Sequence, residues 1–587
     1  AENIKQVELI TNPGAEYGAA VGAVLKLKTV GKKIDGFGIG FRSVADYSYK
    51  IGNNDQLNVE YRQNGLDLFG TFQYRLQHLK ETGETVQMTD VDTLWKQRTH
   101  STDLGKNISY FGQFGFNYEI NKNHSFGATY ELTSAPCDKM SNDNRTEVYA
   151  DHELYDVWNT NAFSIEKTYP THHSNFYYHG DINSLEIDLN ADVLVGKNKE
   201  EENIKELSLN YDDLYMTTFS ETSNKLYAGK LVLAYPLFKG RISGGSEYSY
   251  IHRISDFSGF GNQILGTSDK IRERNLAFFL NCTWSLGGID ASAGLRYEDV
   301  KSDFYENSIY QSDESKHYRN LFPSLSLKGS VGKVHWGLGY HIQVARPYYE
   351  QLKNEIHYGN RFTYLGGTPN LQPTYIHTAE MRAAYRDLQL SVGYNRYNDD
   401  ILFSIEQATS DPKITLIKFR NVEHRDEMTA SLVYSPGIGC WRPEWVASVQ
   451  SQWFNIGYLD GTKNMNGITV GIRWNNSFQL PMGYIFRLNG TYTGKGVYQN
   501  SFTRPVSCFG VSIYKSFFNG RLDCTVEGND LFHTVRDATT QYDNKVKIYR
   551  ETQRNTQEVK LTVHYKFNLQ KSKYKGTGAG LDEQQRL

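Results

Sequence analysis

Apolar and polar residues alternate along most of this chain. The last clear stretch, Lys560 to Phe567, shows the pattern plainly: Leu561, Val563, Tyr565 and Phe567 take one side, and Lys560, Thr562, His564 and Lys566 the other. Successive side chains of a strand point to opposite faces, so this is a strand with one apolar and one charged face. Leu185, Ile187 and Leu189 alternate likewise with Glu186, Asp188 and Asn190, and Leu522, Cys524 and Val526 with Asp523, Thr525 and Glu527. Trp336, Leu338, Tyr340, Ile342 and Val344 alternate with His335, Gly337, Gly339, His341 and Gln343. One such segment fits any half-buried sheet. Its recurrence from Ile34 to Phe567, with aromatics crowding the apolar side and no amphipathic helix between, predicts an all-β chain. The pattern fits a transmembrane antiparallel β-barrel, with lipid outside and a polar lumen inside.

Tight turns punctuate the pattern at Asn64-Gly65, Lys122-Asn123, Asp181 to Asn183, Phe238 to Gly240, Gly287-Gly288, Val331 to Lys333, Arg386-Asp387, Gly437 to Pro443, Pro481 to Gly483 and Phe518 to Gly520. Gly, Asn and Asp supply the backbone that short hairpins demand. These turns imply about 22 strands, each roughly 10–15 residues long. Polar segments near 81–104, 135–170, 196–224, 253–270, 303–318, 346–376, 403–413, 496–503 and 533–556 are expected as long loops on the opposite rim. Short turns on one rim and long loops on the other predict periplasmic turns, external loops and both termini in the periplasm. After Phe567 the pattern stops, and 569–587 is expected as a mobile periplasmic tail.

Composition narrows the class. The chain holds 587 residues, with 42 Tyr, 30 Phe and 51 Gly, which favours strands and turns over helices. Mean hydropathy is −0.58, and no apolar run approaches the roughly 18 residues of a membrane helix. Alternation hides a barrel from any averaged scale. A net charge of −3, with no long basic run, gives no reason to expect a nucleic-acid partner. The five cysteines lack metal-ligand spacing, and Cys282 and Cys524 read as small hydrophobes. No soluble-propeller repeat is present.

Three stretches carry a family resemblance. Ile4, Val7, Glu8 and Ile10 precede Asn12, Pro13, Ala15 and Tyr17, followed by a small-residue run and the strand Leu25 to Thr29. Arg346-Pro347-Tyr-Tyr349 leads through Leu352 and Asn354 to Pro369-Asn370-Leu371-Gln-Pro373. Val526-Glu-Gly-Asn-Asp-Leu-Phe532 precedes the closing strand, which ends on the aromatic Phe567. Together these resemble TonB-dependent outer-membrane receptors of the Bacteroidetes type, with Thr368 and Thr374 departing from the usual Asn and Glu. The resemblance implies that 1–33 is the end of a plug domain and 34–568 the barrel. It also implies that the segment contacting TonB lies upstream. The Pro-containing elements, with Asn12, Pro13, Arg346, Pro347, Pro369, Asn370, Pro373 and Phe567, read as fold markers: Pro fixes turns at strand ends.

Chemistry is sparse. No phosphate loop, nucleophile elbow or His-Glu-x-x-His is present, so no enzyme, cofactor or metal is expected. The notable cluster is His172, His173, Tyr177, Tyr178 and His179, placed at the base of the longest expected loop. Such residues could hold a ferric chelate or stack on a sugar. An interfacial Tyr/His belt explains them better, since amphipathic rings favour that level. Inward charges such as Arg296, Glu298, Asp523 and Glu527 could line a substrate path, but ion-pair ladders with a plug or across strands explain them better.

The resemblance implies an outer-membrane transporter that imports a scarce nutrient (a ferric chelate, an oligosaccharide or a peptide). Its expected partners are outer-membrane lipids, the TonB complex and a surface lipoprotein. The rival expectation is a passive pore or a structural, adhesive barrel.

Overall fold

The computed structural model describes residues 4–10, 13–29, 35–261, 266–569 and 574–587. Twenty-two antiparallel strands close into a barrel. The closing strand Glu558–Phe567 pairs with the first barrel strand Gly36–Tyr47, from Ile39 opposite Phe567 to Tyr47 opposite Val559. All ten expected turns join consecutive strands at one rim. Asn64 and Gly65 both take positive φ, 49° and 85°, the conformation a two-residue hairpin requires. Leu561, Tyr565 and Phe567 point outward and exposed, as do Leu189, Leu338 and Val526. That is the lipid face the alternation demands.

The opposite rim differs from expectation. The segments 81–104, 135–170, 196–224 and 253–270 are mostly paired strand, with short connections. Leu66–Asp90, Leu94–Asn121, His124–Ala150, Glu153–Ile182, Leu185–Ser208 and Leu214–Leu237 run 24 to 30 residues each. A bilayer needs only about 9–11. Above the membrane a strand has water on both sides, so its polar residues no longer alternate with apolar ones and imitate a loop. The strands on the other side of the ring are shorter, down to the eight residues of Leu522–Asn529. There the wall is continued by a separate hairpin, Asp537–Asp543 with Val546–Arg554, whose second strand pairs with residues 81–89.

Among the described residues, three pieces of chain enter the lumen. The hairpin Ile4–Ile10 with Val24–Thr29 stands apart from the barrel sheet. The link between its strands enters the lumen: Pro13, Ala15 and Ala19 are buried, and the Ala19 carbonyl accepts the Val344 N–H at 3.0 Å. Asn12 lies outside the described residues. The second piece is the loop 346–373, which folds inward. The third is the tail. Residues 574–587, expected as a mobile end, instead climb the inner wall from the turn rim and form a short helix at Leu581–Gln584.

Candidate functional site

The site is the lumen, and its wall carries a dense charge network. Arg296 donates from Nε to Glu298 at 2.6 Å and reaches Glu247 at 3.0 Å. Glu298 also takes the guanidinium of Arg346. Both arginines and Glu298 are almost wholly buried. Charges removed from water persist only when paired, and here each has a partner. The Arg-Pro motif of the sequence therefore does more than stiffen a loop, because Arg346 ties the root of the inward loop to the barrel wall.

Beyond Arg346 the loop is pinned at three levels. Tyr349 is fully buried and donates its hydroxyl to Glu273 at 3.0 Å. Tyr358 and Arg361 both bind Glu206, at 2.9 and 2.7 Å. Phe362 sits edge-on between Trp95 and Trp158, with centroids 5.3 and 5.0 Å away. Pro369 to Pro373 close the loop, where Asn421 clips both the N–H and the carbonyl of Gln372. Pro347 and Pro373 are buried and Asn370 is exposed. The loop thus forms a lid folded into the tall mouth.

The His/Tyr cluster is not one site. It lies on the strand Glu153–Ile182 near the tight turn, not at the base of a loop. Period two splits it. His172 and Tyr178 face outward, where they bond Tyr130 at 2.6 Å and His124 at 2.9 Å, an arrangement that suits an interfacial belt. His173, Tyr177 and His179 face the lumen. His173 bridges Glu131 and Asp192, at 3.3 and 2.8 Å, beside a cavity of about 690 Å³. Tyr177 packs edge-on against Tyr574 of the tail at 4.8 Å. His179 bonds Asp188 at 2.7 Å and lies near Glu186, whose charge Arg241 neutralises at 2.8 Å.

Sequence reading missed an apolar patch inside this polar lumen. Leu226, Ile251, Ile271 and Phe304 point inward and are buried with Tyr349 of the lid and Ala579 of the tail, while Leu352 and Leu587 pack against them. The signal was present: at Lys225-Leu-Tyr-Ala228 apolar residues occupy both faces. Nearby, burial and then the adjacent Asp582 push the Glu583 carboxyl up to about 7, against the pull of Arg346 and a hydrogen bond from Asn275.

Solved structures share this fold. The siderophore receptor PirA from Pseudomonas aeruginosa aligns with 13% identity and a TM-score of 0.55, over 96% of this chain and 87% of its own. The FrpB iron transporter from Neisseria meningitidis gives 11% and 0.59 over the same shares. The outer membrane transporter YddB from Escherichia coli gives 11% and 0.57 over 96% and 85%. No curated protein sequence matches the chain. The profile of the outer membrane protein β-barrel family matches residues 180–565, well over half of the chain. The closed barrel, its lipid-facing alternation and that match agree, and the chain belongs to the outer membrane protein β-barrel family.

Proposed function

We propose that this chain is the barrel of a TonB-dependent outer-membrane transporter that imports a scarce nutrient. The observation that carries the reading is a wide barrel whose lumen is obstructed. A barrel of 22 strands would leave a broad aqueous channel unless filled. Here the lid 346–373, the 13–23 link and the tail all lie inside it. A passive pore has no use for such obstruction, whereas an energised importer needs a closed resting state. In this reading the hairpin Ile4–Ile10 with Val24–Thr29 is the end of a plug, the turn rim is periplasmic, and the tall mouth receives cargo from outside.

The folds it shares belong to proteins described as siderophore receptors and iron transporters, so a ferric chelate is the first cargo to test, ahead of oligosaccharides and peptides. The reading contains no catalytic step. The test is uptake of labelled ferric chelates, glycans and peptides by cells carrying the complete gene, with and without a working TonB system. Uptake of one class that vanishes without TonB is the expected result. Uptake indifferent to TonB would overturn the reading in favour of a passive pore, and uptake of none would favour a structural barrel.

A further inference from the structure

The tail is held by its main chain. Asn190 Oδ1 accepts the N–H groups of Thr577 at 2.9 Å and Gly578 at 3.3 Å. Asp192 Oδ2 accepts the N–H of Ala579 at 2.7 Å, and Glu247 Oε1 that of Gly580 at 2.9 Å. Four consecutive N–H groups are thus read by three wall side chains. Asp192 is itself fixed by His173 and by Asn175 at 2.7 Å. The glycines are needed: Gly578 and Gly580 take φ of +78° and +62°, and a Cβ on Gly580 would lie 2.7 Å from that of Ala228.

Further up, the recognition becomes side-chain specific. Arg586 pairs with Glu273, donates from Nε to the Pro347 carbonyl at 3.0 Å, and lies over the Tyr349 ring at 4.3 Å. Ala579 and Leu587 cover the inward patch of Leu226, Ile251 and Ile271. The tail therefore joins the turn-rim half of the lumen to the root of the lid.

We propose that the lumen carries a peptide-reading groove whose resident occupant is the chain's own 574–587 segment, a tethered stopper that leaves the groove when the lumen opens. Two independent observations support it. Polar groups are aimed at consecutive main-chain donors, as a strip that binds peptide requires. Ala579 and Leu587 of the tail also complete, with Tyr349 and Leu352 of the lid, the cover over the apolar wall residues Leu226, Ile251 and Ile271, so part of the wall is shaped for this segment. The tether explains how a short, polar segment holds its place. An effective concentration in the millimolar range keeps a segment docked about 99% of the time even when the free peptide binds with a Kd of about 10 μM. The inference concerns gating and is independent of the cargo and of TonB.

The experiment compares the chain with and without residues 574–587 in planar bilayers, with heat-modifiable gel migration confirming a folded barrel. Removal of the segment raises conductance severalfold. A synthetic 14-residue peptide of the same sequence then restores the block. A peptide carrying Arg586→Glu, which places a carboxylate against Glu273, blocks at least about a hundredfold less well, the scale of a broken buried ion pair. A Gly580→Val peptide fails likewise. Because the substitutions lie in the peptide, they cannot unfold the barrel. Equal conductance with and without the segment would overturn the proposal. So would a failure of the native peptide to block, or equal block by native, substituted and scrambled peptides. None of these outcomes bears on TonB-dependent uptake.

Discussion

Arg346→Ala tests whether the buried charges hold the lid root or only decorate it. The guanidinium is 6% exposed and its partner Glu298 1% exposed, so the pair lacks the screening that makes surface pairs weak. Breaking a buried pair costs about 3–5 kcal/mol, because one charge is left without compensation. Glu298 would keep Arg296 at 2.6 Å, so the loss belongs at the low end, about 3 kcal/mol. Glu298→Ala removes the acceptor shared by two arginines and belongs at the high end, about 5 kcal/mol. The double variant Arg346→Ala/Glu298→Ala loses the pair only once, so the cycle shows a coupling of about 2 kcal/mol. Urea unfolding in detergent micelles reports the global effect, and amide exchange of residues 345–352 the local one. Coupling below about 0.5 kcal/mol, with unchanged exchange, would refute the reasoning and mark the pair as no stronger than a surface contact.

Three further expectations follow from other parts of the molecule. Glu583 is raised to about 7 when docked, so its contribution to tail docking is complete below about 4.5 and is lost as pH rises through about 7. A probe on Leu581 should report docking that weakens by about two orders of magnitude across that window, and a Glu583→Gln chain that still shows the dependence would remove Glu583 as its cause. Phe362→Ala empties the slot between Trp95 and Trp158 at a cost of about 3–5 kcal/mol, which should speed protease cleavage within 346–373 by at least about a hundredfold; an unchanged rate would mean the aromatic contacts do not hold the lid. Leu561→Arg puts a charge on the lipid face at about 2–4 kcal/mol, whereas Thr562→Arg faces the lumen and should leave heat-modifiable migration unchanged. Equal damage from both would contradict the inside–outside assignment.

The barrel was legible because one physical cause, lipid on one face and water on the other, writes the same period along every crossing strand. The turns were legible because positive φ selects Asn and Gly, as at Asn64-Gly65. The tall wall was not, because Ser101-Thr-Asp-Leu-Gly105 stands in water on both faces and carries no period. The His/Tyr cluster looked like one site because five of its residues are close in sequence, although even and odd numbers already divided it between lipid and lumen. The tail was misread for a related reason. Its anchoring atoms are backbone N–H groups, which every residue but proline possesses, and the specificity resides in Asn190, Asp192 and Glu247 some 330 to 390 residues away.

The hairpin that pairs Val546–Arg554 with residues 81–89 has a consequence for life in a crowded membrane. Residues 66–76 of that long strand are covered by Ile51–Gln63, but the covering strand ends while Leu66–Asp90 continues upward. Left alone, the remainder would offer a row of unpaired amide and carbonyl groups in water, a template for strand addition between neighbouring molecules. The hairpin occupies that row, so adjacent copies find no β-edge to extend there. Its own anchor is firm: Asp543 is fully buried and accepts from the Ile405 N–H at 2.9 Å and from Arg420 at 2.7 Å. A buried carboxylate far along the chain from the edge therefore helps hold the hairpin that protects it, together with the pairing on residues 81–89 and the Arg554–Glu81 ion pair at 2.7 Å.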